Sequence, residues 1–129
     1  MENLLTFNLA EKKAIMKMLE IIAISDGRIV SQETKYSAQI AIALGLSAEQ
    51  SKEISTLNPI ACLETLEKMD ALSKQKAVAI MMGMVLADDE ADNQETAIFS
   101  FICYAIKTEL PDGSYARILV EHLIRKSYR

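Results

Sequence analysis

From Ala77 to Ala87 the chain runs eleven residues without one polar side chain. The run is too short to cross a bilayer, which takes about 20 residues. Its alanines and methionines favour helix. A helix with no polar face has to be covered on every side, so it belongs at the centre of whatever the chain builds. With 129 residues, there is enough chain to wrap such a helix in one domain spanning residues 1–129. Half the residues are hydrophobic, while only four glycines and two prolines interrupt them. That composition excludes a disordered or collagen-like chain.

Start and stop signals divide the rest into helices. Asn8 with Glu11 forms a variant capping box opening a helix to about Ser25, with Ile15, Met18, Leu19 and Ile22 at helical spacing. Lys12, Lys13, Lys17 and Glu20 fall mostly off that stripe. Asp26-Gly27 breaks this helix, and Ser31 caps a second that carries Tyr36, Ile40 and Leu44 and ends at Gly45. Ser47 with Gln50 opens a short third helix to about Leu57. Asn58-Pro59 opens a fourth that fades near Asp70, since proline loses nothing at a first helical position. Ser73 caps the fifth, which contains the apolar run. Asn93 caps a largely apolar sixth through Ile98, Phe99, Phe101, Ile102, Tyr104 and Ile106. After a turn at Pro111-Asp112-Gly113, the last helix covers about Ser114–Ser127, with Ile118, Leu119, His122 and Leu123 near its inner stripe. The expectation is an all-α fold of about seven helices, with the fifth and sixth buried at its centre.

The chain also repeats itself. An offset of sixty-two residues lays Ser25–Thr34 over Ala87–Thr96 with Asp, Gln, Glu and Thr in common, and Ile40 and Ala43 fall over Ile102 and Ala105. An apolar helix precedes each copy and a Ser- or Asn-capped helix follows it. Two duplicated helix–loop–helix units packed on each other are expected.

Each unit holds the pattern Asp-x6-Glu: Asp26 and Glu33, then Asp88 and Glu95. One reading is structural, with an Asx turn at Asp26-Gly27 and a Glu placed where the helix dipole favours an anion. The second unit crowds Asp88, Asp89, Glu90, Asp92 and Glu95 into eight residues, and without these five carboxylates the net charge of −4 would be +1. Such crowding calls for water, a cation or a basic partner. The back half of an EF-hand loop is present around Asp26-Gly27, Ile29 and Glu33. Its front half is not, because Ile22 and Ile24 (Met84 and Leu86 in the second unit) occupy the first ligand positions. A cation would therefore need ligands shared between units. The candidate metal ligands are Asp26, Glu33, Asp88, Asp89, Asp92 and Glu95, an oxygen set suited to Ca²⁺ or Mg²⁺.

With its helices and duplicated helix–Asp-Gly–loop–Glu–helix unit, the chain resembles the TerB-like family, named for tellurite-resistance proteins. The resemblance covers nearly the whole chain. It implies an all-α domain in which two hairpins bring acidic residues to one face, proposed in the family to bind metal ions. It also implies a non-enzymatic role in stress-response or membrane-associated assemblies, with a protein partner reached through the acidic face. By motif position it falls on Asp26, Glu33, Asp88 and Glu95, and this chain departs from the pattern at Asp89, where the first unit has Gly27.

Other chemistries find little footing. The negative charge speaks against nucleic acid. No basic, apolar leader opens the sequence, and a cytoplasmic location without a transmembrane segment is expected. Cys62 and Cys103, forty-one residues apart with no CxxC, read as reduced, buried thiols. His122, the only histidine, has no nucleophile that spacing assigns to it, and Met81, Met82 and Met84 read as core. No Walker, Rossmann or zinc pattern occurs. The alternative to a binding domain is a metal-dependent hydrolase built on Asp26, Glu33, Asp88 and Glu95, which would need a concave site beside them.

Overall fold

The computed structural model describes residues 7–25, 27, 31–87 and 93–127. Among them are seven α-helices and no strand: α1 Leu9–Ile24, α2 Ser31–Ala43, α3 Ala48–Glu53, α4 Pro59–Glu67, α5 Ala71–Ala87, α6 Asn93–Ala105 and α7 Gly113–Ser127. A 3-10 turn over Ile54–Thr56 follows α3.

The caps explain most of these boundaries. Asn8 Oδ1 accepts the Glu11 N–H at 2.8 Å and Glu11 Oε1 accepts the Asn8 N–H at 2.9 Å, the reciprocal box that starts α1. Ser47 and Gln50 do the same for α3. Asn58 accepts from Ile60 and Ala61 ahead of Pro59 in α4. Two starts lie earlier than the sequence suggested. Asp70, not Ser73, caps α5, its Oδ1 accepting the Ser73 N–H at 2.7 Å, so Ser73 is the third helical residue. Asp112 caps α7 by accepting from Ser114 and Tyr115, which makes Gly113 helical. In both places an aspartate ahead of the serine holds the cap, its side-chain oxygen accepting from N–H groups of the first turn. α2 and α6 begin at Ser31 and Asn93, the residues read as caps; positions 30 and 92 lie outside the described residues.

The two central helices are α1 and α5, which pack on each other. Around α1 lie α2, α4 and α6, and around α5 lie α2, α6 and α7. Ala77 to Met81 and Gly83 to Val85 are buried in α5, and Ala14 to Leu19 with Ile22 and Ala23 in α1. The expectation that α6 is central is corrected. Its buried stripe is Glu95, Phe99, Ile102 and Cys103, continued past its end by Ile106, while Phe101 is 71% and Tyr104 83% exposed. A largely apolar sequence did not make α6 central, because its neighbours cover only one side of it. On α7, Ala116, Leu119 and Leu123 are buried, but Ile118, read as inner, is exposed.

The sixty-two-residue offset recurs in the backbone. It carries Asn8, the cap of α1, onto Asp70, the cap of α5, and α2 onto α6 residue for residue. α2 ends in a Schellman turn, with Gly45 N–H donating to the Ile42 carbonyl and Leu46 N–H to Ala41. α6 ends with the same two bonds at the same offset, Lys107 to Tyr104 and Thr108 to Cys103. The left-handed residue is Gly45 (φ 76°) in the first case and Lys107 (φ 61°) in the second.

One further contact locks the first hairpin onto α5. Tyr36 Oη donates to the Ile80 carbonyl at 2.6 Å, and its burial pushes the phenol pKa up. Gly83 makes room for that ring: a Cβ there would sit 2.6 Å from Tyr36 Cζ and 2.8 Å from Val120 Cγ2.

Candidate functional site

The two glutamates of the repeated motif occupy one position in two helices. Glu33 and Glu95 are each the third residue of their helix, where a carboxylate faces the positive end of the helix dipole. Glu33 is 1% exposed and Glu95 is not exposed at all. Both oxygens of Glu95 and Oε2 of Glu33 are shut off from solvent. Lys17 is the other charged side chain buried among the described residues. Its Nζ donates to Glu20 Oε1 at 2.7 Å and to the Ser55 carbonyl at 3.2 Å, which ties α1 to the 3-10 turn.

Of the other proposed metal ligands, Asp26, Asp88, Asp89 and Asp92 lie outside the described residues. Among the described residues, no group of three or more His, Cys, Asp or Glu side chains comes together to hold a metal ion. The two glutamates offer hard oxygen donors of the kind Ca²⁺ and Mg²⁺ take. Of the six proposed ligands, the described residues thus hold one per hairpin, Glu33 and Glu95.

Glu33 also stands at a feature that sequence reading missed. Between α1, α2 and α3 lies an open groove of about 540 Å³. Its floor is mostly carbon, from residues such as Ala23, Ala38, Ala41 and Ile54, and among the described residues its ionisable lining is Glu20 and Glu33. Where α2 lines the groove it carries small side chains, at Ser37, Ala38 and Ala41. The offset puts Phe99, Ser100 and Cys103 at those positions in α6, with Phe99 and Cys103 buried. The small-residue run in α2 was the available signal. Lys17 was read as lying off the apolar stripe, yet it is buried, and no sequence feature marked it.

Nucleophilic chemistry has little to work with. Cys62 and Cys103 are free and buried. Burial pushes the Cys103 thiol up to about 11, so it stays protonated near neutral pH. Burial also raises the Cys62 thiol, with the Lys17 charge pulling it partly back. His122 is half-buried on α7. Met81 and Met84 belong to the core and Met82 packs against it.

No family model matches the chain, and no curated protein matches it. Among solved structures, it is similar to a crystal structure of a protein of unknown function from Porphyromonas gingivalis W83, at a TM-score of 0.77 and 19% identity over 92% of this chain and 98% of that one. At that identity the likeness shows the fold: the same helical architecture is built on a largely different sequence. No described helix is long and apolar enough to cross a membrane.

Proposed function

We propose that the chain is a non-enzymatic, TerB-like scaffold domain of the cytoplasm that serves stress-response assemblies. In this reading the ends of its two hairpins bind a divalent cation, Ca²⁺ or Mg²⁺, and its acidic face meets a protein partner. The observation that carries the proposal is the burial of Glu33 and Glu95 at one position in two helices. Taking a carboxylate out of water costs several kcal/mol unless donors or a positive charge compensate. A chain that keeps two of them at matched sites, each seven residues after an aspartate, has a use for them. A purely structural use, closing each loop onto its helix, is the competing account of the same observation. The hydrolase alternative asks for polar groups converging on a cleft, whereas the groove beside Glu33 is mostly carbon.

Thermal melts with Ca²⁺ and Mg²⁺ separate these accounts. A cation that binds only the folded chain at a hundred times its Kd adds about 2.7 kcal/mol. The melting temperature should therefore rise with cation. Glu33→Gln, and Asp88→Asn combined with Glu95→Gln, should each remove that rise. Calorimetry showing no heat from either cation at millimolar concentration would leave the two glutamates as loop-closing groups.

A further inference from the structure

We propose that the outer face of α6, around Phe101, docks an amphipathic helix of a partner protein whose apolar residues are spaced as those of α7 are. This surface is separate from the cation-binding ends and the acidic face of the reading above.

The molecule already contains one such seat, and there it is filled. α7 packs along both α5 and α2. Lys35, Tyr36 and Gln39 of α2 border one groove with Arg117, Val120 and Ile124 of α7. Tyr36 and Val120 meet over Gly83, where a Cβ would lie 2.6 Å from Tyr36 Cζ and 2.8 Å from Val120 Cγ2. Under this cover Tyr36 is 4% exposed.

The sixty-two-residue offset carries the seat onto α6 and α1. Lys35, Tyr36 and Gln39 become Ala97, Ile98 and Phe101, and Gly83 becomes Ile21. The same offset lays the second half of α7 over α4, which packs on α1 as α7 packs on α5. α4 has nine residues where α7 has fifteen, and its contact with α6 is minor. In the place of Val120 stands Asn58, which caps α4 by accepting from Ile60 and Ala61. The second seat is thereby left without its helix. Ile21 and Ile98 are only partly buried, and Phe101 and Tyr104 stand in solvent.

Composition then selects the occupant. The one charged residue of α6, Glu95, is buried, and Ala97 replaces the Lys35 of the filled seat. Among the described residues the open face of α6 is thus uncharged, with aromatic rings exposed on it, which is the composition of an interface core. An apolar helix stripe laid against such a face is a common mode of recognition. A second copy of the chain fits less well. Two α6 helices facing each other would cover a strip about 20 Å long and 10 Å wide, well short of the roughly 1,200 Å² of a stable dimer.

The test adds an amidated peptide of the α7 sequence, Gly113–Ser127, to the full ¹⁵N-labelled chain, whose own α7 holds the seat on α2. EDTA is present, and high salt screens the basic residues of the peptide from the chain's carboxylates. Saturable shifts at Ile21, Ala97, Ile98 and Phe101, with none at Tyr36 and Gln39, support the proposal. Phe101→Glu and Ala97→Glu alter exposed residues, so each should melt near wild type and bind at least about tenfold more weakly. A peptide with Leu119, Val120 and Leu123 replaced by glutamate should not bind. Undiminished binding to either variant, equal binding of the glutamate peptide, or no saturable shift at millimolar peptide would each overturn the proposal. Shifts at Tyr36 and Gln39 would overturn it too, since the peptide would then be exchanging with the chain's own α7. So would light scattering that shows a dimer abolished by Phe101→Glu, since the occupant would then be a second copy. None of these results touches the cation reading, whose test is the melt with Ca²⁺ or Mg²⁺.

Discussion

The hairpin α1–α2 and the hairpin α5–α6 share their boundaries and turn geometry and differ in what fills them. Both begin on a side-chain cap, both bury a glutamate in the third position of their second helix, and both end that helix in a Schellman turn. The second fills its interior with Phe99 and Cys103 and exposes Phe101 and Tyr104 outside. The first has small residues at the matching inner positions and is left with a groove. The hydrogen-bonded frame is therefore kept with either filling. Backbone bonds and caps depend on a few residue types at fixed positions, whereas packing depends on side-chain volume.

The comparison is broken most easily at the centre. Met81 and Leu19 hold matched positions and neither is exposed. Met81→Asp and Leu19→Asp should each cost on the order of 4–5 kcal/mol or prevent folding, because an unpaired charge enters an apolar interior. Urea denaturation followed by circular dichroism measures this. If either variant melted near wild type, α1 and α5 would not be equivalent supports.

Phe99→Ser gives the second hairpin the residue of the first and should cost about 3–5 kcal/mol. A much smaller loss would mean that the second hairpin relaxes around small residues, and that the groove in the first reflects sequence less than packing.

The C-terminal turns offer a finer contrast. A side chain at positive φ is strained, so Gly45→Ala should lose about 1 kcal/mol and Lys107→Gly should gain about as much. The ion pair of Lys107 Nζ with Glu67 Oε2, 3.0 Å and exposed, offsets little of that gain. Opposite signs at the two sites are the outcome that keeps the turns comparable.

The smallest effect concerns the first caps, where Asn8 is neutral and Asp70 titrates. The Ser73 N–H, then its hydroxyl, hold the Asp70 carboxyl below its ordinary value. With the folded pKa below the unfolded one, this contribution is present above about pH 4 and is lost as pH falls through the folded value. Asp70→Asn should melt near wild type at neutral pH and show a shallower acid decline, checked by thermal melts from pH 7 downward.

What the sequence by itself determined is local. The caps at Asn8, Ser47 and Asn58, the stop at Gly45 and the central place of Ala77–Ala87 were all readable, because each depends on residues within a few positions of one another. The Asp-x6-Glu pattern was visible for the same reason. Only the tertiary structure decided which faces were covered. It placed α1 beside α5 at the centre, left Phe101, Tyr104 and Ile118 in solvent, and buried Lys17 between α1 and the 3-10 turn. It also buried Glu33 and Glu95 and opened the groove beside Ser37. Hydrophobicity states which residues gain from leaving water. Which of them do so depends on the neighbours that distant parts of the chain bring to each face, and no spacing along α6 or α7 encodes where those neighbours stop.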